Sequence, residues 1–93
     1  MNKERRKELY AIAARLSFFK GNTNGVDIGE IRSDLEMILY DEEAYMENMP
    51  ENLQNGYRYQ IAEEAYNNME YAIEALDDGD IESAINYIYN ATA

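Results

Sequence analysis

Apolar side chains recur at intervals of three and four residues along almost the whole chain, which is the period of amphipathic α-helices. Three helix-breaking sites divide this pattern into four segments. They are the Gly- and Asn-rich stretch 21–25, Pro50 and Gly79. No stretch shows the apolar–polar alternation of a half-buried strand. The sequence therefore predicts a single all-α domain over residues 1–93, a small up-down bundle of three long helices plus a short C-terminal helix.

The helix boundaries follow from capping and breaking residues. The predicted helices span Lys3–Phe19, 27–49, 57–76 and residues from 81 onward. Asp27 and Asp80 are the expected N-caps, and Pro50 is the structural residue that stops the second helix. The connection before the third helix has room for one irregular or 3₁₀ turn, in which we expect Leu53 to be buried in the core. The second helix is expected to face the core with Ile28, Ile31, Leu35, Ile38, Tyr45 and Met49.

Glu42 interrupts the apolar line of the second helix. A charge at a core position needs a partner, because burying it alone costs several kcal/mol, on the order of the stability of a small domain. Arg58 lies as many residues after Pro50 as Glu42 lies before it. In an antiparallel helix pair the two side chains can meet, so we predict a structural Glu42–Arg58 ion pair that fixes the register.

The composition restricts the chemistry of the protein. The chain has no Cys and no His, so it lacks thiolate sites and the commonest general base and metal ligand. Asp41, Glu42 and Glu43 are consecutive on a helix, and their side chains diverge too widely to converge on one ion. A calcium-loop pattern around residues 22–25 fails, because Ile31 occupies the position of the bidentate Glu. We predict no metal, no cofactor and no enzymatic activity.

The charge is large and unevenly distributed. The net charge is −11. Residues 1–20 contain six Lys or Arg and two Glu, a net of +4, whereas residues 21–93 contain two Arg and seventeen acidic residues, a net of −15. Such a charge repels nucleic acid and anionic membranes and attracts basic protein surfaces. We therefore expect no direct nucleic-acid binding and no membrane association.

The N-terminal segment is basic but does not continue into an uninterrupted apolar segment, because Arg15 breaks it. We therefore expect no secretory signal. A chain without Cys also suits a reducing compartment, so a cytoplasmic location is expected. The cations Lys3, Arg5, Arg6 and Lys7 are expected to dock on the acidic helices, either within the monomer or in a homodimer.

Two outward-facing rows of carboxylates are the candidate partner-binding residues. At 100° per residue, one row on the second helix consists of Glu36, Tyr40, Glu43 and Glu47, and one on the third helix consists of Glu63, Asn67, Glu70 and Glu74. Carboxylates four residues apart are separated by about 6 Å along a helix, on the scale of backbone phosphates. Tyr40 and Tyr71 lie among them and are the expected specific contacts. The alternative is an ordinary solvated helix face.

Residues 41–54 read Asp-Glu-Glu-Ala-Tyr-Met-Glu-Asn-Met-Pro-Glu-Asn-Leu-Gln. This resembles a motif of small bacteriophage and prophage proteins, in which an acidic run, an aromatic residue, Asn-x-Pro-Glu-x-Leu-Gln and a Glu/Ala-rich helix follow one another. The Met-Asn-Lys-Glu-Arg-Arg-Lys opening is similar as well. The chain departs from the pattern in its 21–29 loop region and its many Tyr residues. The resemblance implies a phage gene product that acts in the cytoplasm of a bacterial host.

Small acidic phage proteins resemble inhibitors of host defence, such as anti-CRISPR proteins and other nucleic-acid mimics. The expected function is thus stoichiometric inhibition of a host nucleic-acid-binding defence protein, with the carboxylate rows opposing its basic surface. A CRISPR effector nuclease is the kind of target this implies. The alternative is a self-associating structural or accessory helical phage protein that has no inhibitory target.

Overall fold

The computed structural model describes residues 1–19 and 25–93. Within these ranges it is helical and has no strand, which confirms the all-helical class. The helices are α1 (Lys3–Phe19), α2 (Gly25–Glu47), a 3₁₀ helix (Glu51–Leu53), α3 (Tyr57–Asp77) and α4 (Ile81–Ala91). The predicted loop after α1 falls largely on residues 20–24, outside the described residues.

The predicted bounds of α1 are confirmed, and those of α2 are shifted by two residues at each end. The helix begins at Gly25, so Asp27 lies inside it and is not its N-cap. It ends at Glu47 rather than at Met49. Pro50 explains the earlier end, because a proline disfavours the α conformation of the residue before it.

The helices α1 and α2 run antiparallel, as two ion pairs near their opposite ends show. Arg15 near the end of α1 contacts Asp34 in the first half of α2, with 2.7 Å between Nη1 and Oδ2. Arg5 at the start of α1 contacts Glu42 near the end of α2. In this way Arg5, one of the N-terminal cations, docks on an acidic helix within the monomer.

The core lies between α1, α2 and α3, and α4 closes it by packing against both α3 and α1. Its fully buried large apolar residues are Leu9, Leu16, Ile31, Leu35, Met69 and Ile88. Buried alanines on three helices allow the backbones to approach closely: Ala13, Ala62, Ala65, Ala72, Ala75 and Ala84. None of the described helices has an apolar stretch that could cross a membrane.

The core stripe of α2 differs from the predicted one at its C-terminal end. Met46 is buried, whereas Tyr45 is 38% exposed. The stripe continues from Ile38 through Glu42 to Met46 in steps of four, because a helix of 3.6 residues per turn drifts away from a strict seven-residue repeat. Tyr45 consequently faces the side of α1, where the guanidinium of Arg5 lies 5.5 Å from its ring centroid.

The two turns within 47–81 are closed by backbone hydrogen bonds. The first turn, which follows Pro50, is of the 3₁₀ type. Leu53 is 51% exposed, so the expectation that it lies in the core was wrong. The turn lies at the tip of the α2–α3 hairpin, beyond the end of the core. The second turn uses Gly79 at φ 77°, a conformation that favours glycine. Asp80 then caps α4 as predicted, accepting a hydrogen bond from the Ser83 amide.

Candidate functional site

The predicted carboxylates of α2 face α3 across a surface groove. The two helices run antiparallel, since Arg32 contacts Asp77 at one end and Glu43 contacts Tyr66 further along. Two shallow cavities lie between them, about 260 Å³ and 360 Å³ in volume. We call this surface the acidic groove and define it by Arg32, Glu36, Tyr40, Glu43 and Glu47 on α2 and by Glu70, Glu74 and Asp77 on α3.

The first cavity brings together four of the predicted site residues. It is lined by Glu36 and Tyr40 from α2 and by Glu70 and Glu74 from α3. Leu39 and Ile73 belong to the same cavity, and Asp77 and Arg32 close its end. The sequence prediction placed these carboxylates in two rows, one on each helix, and the antiparallel packing sets residues of both rows around one cavity.

Arg32 is a groove residue that the sequence analysis missed. Its Nε lies 2.7 Å from Oδ1 of Asp77, and its Nη1 also donates to Glu36. The hydrogen bond with Asp77 raises the pKa of Arg32 and lowers that of Asp77. A signal was present, because Arg32 precedes Glu36 by four residues, the spacing of a helical ion pair. Glu36 therefore has a positive partner within the chain.

The second cavity contains the remaining α2 carboxylates, Glu43 and Glu47, with Tyr59 and Tyr66 of α3. The hydroxyl of Tyr66 donates a hydrogen bond of 3.2 Å to Glu43. Burial raises the pKa of Tyr66, and the negative charge of Glu70 and the bond to Glu43 raise it further. Tyr66 is thus a protonated donor that holds one carboxylate of the groove in place.

The structure separates the two tyrosines that were predicted as specific contacts. Tyr40 is 58% exposed in the acidic groove and donates a long hydrogen bond of 3.4 Å to Glu36. Tyr71 lines neither cavity and packs on Tyr87 of α4, with 5.4 Å between ring centroids. One residue along a helix turns the side chain by about 100°. This turn directs residue 71 toward α4 and away from Glu70.

Glu63, the remaining predicted contact, is exposed on α3 and lines neither cavity. The predicted ion pair between Glu42 and Arg58 is not formed. Glu42 is completely buried and pairs with Arg5 of α1, and Arg58 is exposed near the tip of the hairpin. The physical reason is that the side chain at position 42 points toward α1. The number of residues between two positions does not reveal which neighbouring helix a side chain faces.

The acidic groove presents a surplus of carboxylates over cations. Its two cavities are lined by six carboxylates, those of Glu36, Glu43, Glu47, Glu70, Glu74 and Asp77, and by one guanidinium. Across the described ranges 1–19 and 25–93, no three acidic side chains are grouped closely enough to hold a metal ion. Guanidinium and ammonium groups, which pair with single carboxylates, suit this arrangement.

No protein-family model matches this chain, and neither a curated protein nor a solved structure was found to match it.

Proposed function

We propose that this protein is a phage-encoded, stoichiometric inhibitor of a host nucleic-acid-binding defence protein, of the anti-CRISPR kind. The acidic groove would occupy the basic surface that the target uses for DNA or RNA. The observation that carries this proposal is the convergence of six carboxylates and only one guanidinium on a single groove. The phage context rests on the resemblance of residues 41–54 described above.

The spacing of the charges supports mimicry of a nucleic-acid backbone. Glu43 and Glu47 are four residues apart on α2, as are Glu70 and Glu74 on α3. Each pair is separated by about 6 Å along its helix axis, and the row from residue 36 to residue 47 extends over about 16 Å. Arginine and lysine side chains that contact successive phosphates can meet such rows.

The cost of this arrangement also supports a binding role. Like charges four residues apart destabilise a helix, by about 0.2–0.5 kcal/mol per pair. An ordinary helix surface intersperses both signs and avoids this cost. In the acidic groove, Glu36 has a cationic partner, whereas Glu47, Glu70 and Glu74 form no ion pair with any described residue. A basic partner would relieve the repulsion.

The proposed inhibitor is an up-down bundle of three long helices, with the short α4 at its C-terminal end. In this arrangement, packing on both sides holds α2 and α3, and the carboxylate rows are presented without prior ordering of the chain. Such preorganisation reduces the entropy cost of association. Tyr40 would add an exposed aromatic contact for an arginine of the target.

The test uses a groove variant and a control variant with the same change of net charge. The groove variant replaces Glu47, Glu70 and Glu74 by Lys, because these exposed side chains make no hydrogen bond with other described residues. The control replaces Glu4, Glu64 and Glu82 by Lys, which lie outside the groove. Both variants are compared with the natural sequence by circular dichroism to verify that the helices are intact.

Each protein is then used to capture partners from a bacterial lysate that contains CRISPR and restriction enzymes, at low and moderate salt, with identification by mass spectrometry. We expect one basic nucleic-acid-binding protein, displaced by nucleic acid and by salt. The groove variant should lose it and the control should retain it. Equal retention by both variants contradicts a role of the groove. Capture of the protein itself alone would instead support the self-associating structural alternative.

A further inference from the structure

A further cavity, separate from the two cavities of the acidic groove, lies at the tip of the α2–α3 hairpin. It has a volume of about 620 Å³, and we call it the tip cavity. It is lined by Tyr45, Asn48, Met49, Pro50, Leu53, Gly56, Tyr57 and Arg58. None of these residues lines the cavities of the acidic groove. The volume is within the range of about 300–1,000 Å³ that is typical of ligand-binding pockets.

The wall of the tip cavity is built by a closed turn. The Leu53 amide donates to the Pro50 carbonyl at 2.8 Å, and the Gly56 amide donates to the Leu53 carbonyl at 3.0 Å. The side-chain amide of Gln54 donates to the carbonyl of Met49 at 3.2 Å. A Cβ at Gly56 would lie only 3.1 Å from the Leu53 carbonyl oxygen, so glycine permits this close approach. The cavity is therefore preformed.

Two large apolar side chains of the tip cavity are exposed. Leu53 is 51% exposed and Tyr57 is 77% exposed, beside a turn that backbone hydrogen bonds close. Scattered exposed apolar residues are normal, but several around one concave surface are typical of interaction sites. Aromatic and aliphatic walls accept an apolar side chain.

Arg58 supplies the polar component of this cavity. It is the only Lys or Arg in residues 33–93, a region that otherwise carries a high density of acidic side chains. Arg5, Arg15 and Arg32 each pair with a carboxylate, whereas Arg58 forms no ion pair with any residue in the described ranges. The one cation of the C-terminal two thirds thus lies, unpaired, beside an apolar cavity.

We propose that the tip cavity binds a segment of a partner protein in which an aliphatic or aromatic side chain is adjacent to an Asp or Glu. The apolar side chain enters between Leu53 and Tyr57, and the carboxylate pairs with the guanidinium of Arg58. Charge complementarity selects this occupant, because Arg58 lines the cavity and forms no ion pair with any described residue. Two neighbouring sites of opposite charge preference give the partner one orientation on the hairpin. The proposal does not depend on the partner being a nucleic-acid-binding protein.

The test compares two capped tripeptides, acetyl-Leu-Phe-Asp-amide and acetyl-Leu-Phe-Asn-amide, in titrations of the isotope-labelled full chain followed by amide NMR shifts. The net charge of −11 repels the Asp peptide as a whole, so only a local cation can make it the better ligand. We expect saturable shifts at Leu53, Gly56, Tyr57 and Arg58, and about fivefold tighter binding of the Asp peptide, the ratio that one surface ion pair gives.

Arg58→Gln should remove the preference for the Asp peptide and leave the weaker apolar binding, whereas Leu53→Ser should weaken both peptides. Lys7→Gln is the matched control, because it removes an exposed cation on α1 and should change neither affinity. Equal affinities of the two peptides for the natural sequence, or shifts outside the tip cavity, would overturn the proposal. Failure of the groove variant to lose its partner in the capture experiment would leave this result unaffected, so the two proposals fail separately.

Discussion

The Nε of Arg5 lies 2.8 Å from Oε2 of Glu42, whose side chain is completely buried between α1 and α2. The other carboxylate oxygen, Oε1, accepts no hydrogen bond from the described residues and lies 3.5 Å from the amino group of Met1. Arg5 also lies over the ring of Tyr45. The start of α1 is therefore held on α2 by one buried charge and the cation opposite it.

Arg5→Met should lower the free energy of unfolding by about 3–5 kcal/mol, because it leaves a buried carboxylate without its main partner. The double variant Arg5→Met, Glu42→Leu should recover most of the loss, since well-packed apolar residues often replace a buried ion pair without cost. Urea unfolding followed by circular dichroism measures both changes. An additive loss in the double variant would show that the pair is not coupled.

Arg58→Met is the matched control for this prediction. Arg58 was the partner expected from the sequence, but it is exposed and forms no ion pair with a described residue. Its replacement should change the free energy of unfolding by no more than about 0.5 kcal/mol, as at other surface positions. A loss as large as that of Arg5→Met would restore the Glu42–Arg58 interpretation.

Leu35 and Leu53 should respond differently to the same substitution. Leu35 is completely buried in the core, whereas Leu53 is 51% exposed at the tip of the hairpin. Leu35→Ala removes buried methyl groups and leaves a cavity, at a cost of about 2–5 kcal/mol. Leu53→Ala should change the urea midpoint little, at most by the equivalent of about 0.5 kcal/mol. Comparable losses in both variants would place Leu53 in the core after all.

The Arg32–Asp77 ion pair predicts a pH dependence of stability on the acid side. Arg32 lowers the pKa of Asp77 below its ordinary value of 3.8. The stabilising contribution is therefore complete above 3.8 and is lost as the pH falls through the lowered pKa of the folded state. Asp77→Asn should lower the urea midpoint at neutral pH, and the difference should vanish in acid.

Asp78→Asn serves as the control for Asp77, because the neighbouring carboxylate forms no ion pair with a described residue. Its urea midpoint should follow that of the natural sequence across the acid range. If Asp77→Asn also follows that curve at every pH, the Arg32–Asp77 pair contributes nothing to the folded state.

Tyr66 predicts a pH dependence on the alkaline side. Burial, the charge of Glu70 and the hydrogen bond to Glu43 raise its pKa above 10.0. A raised pKa means that the contribution to stability is complete below 10.0 and is lost as the pH rises through the pKa of the folded state. The tyrosinate absorbance that distinguishes the natural sequence from Tyr66→Phe should therefore develop above pH 10.0. When the protein is unfolded in urea, the midpoint of the pH titration of Tyr66 should return to about 10.0. A native midpoint below 10.0 would contradict the hydrogen bond to Glu43.

Local pattern was sufficient for the helical class and for most helix ends. The bounds Lys3–Phe19 and the Asp80 cap were predicted, because each depends on residues within one or two turns of the chain. The burial of Ile31 and Leu35 was predicted by the same periodicity. The charge imbalance is a property of composition and required no structure.

Local pattern could not predict three features of the structure: the partner of Glu42, the exposure of Leu53 and the separation of Tyr40 from Tyr71. Each depends on which neighbour a helix face meets, and that follows from how α1, α3 and α4 pack around α2. Periodicity gives the angle of a side chain about its own helix axis, but it does not give the position of the other axes. The sequence alone thus establishes an acidic, all-helical chain with defined helices. The packing of the helices places six of its carboxylates along the acidic groove between α2 and α3, and it leaves Arg58 beside an apolar cavity without an ion pair to any described residue.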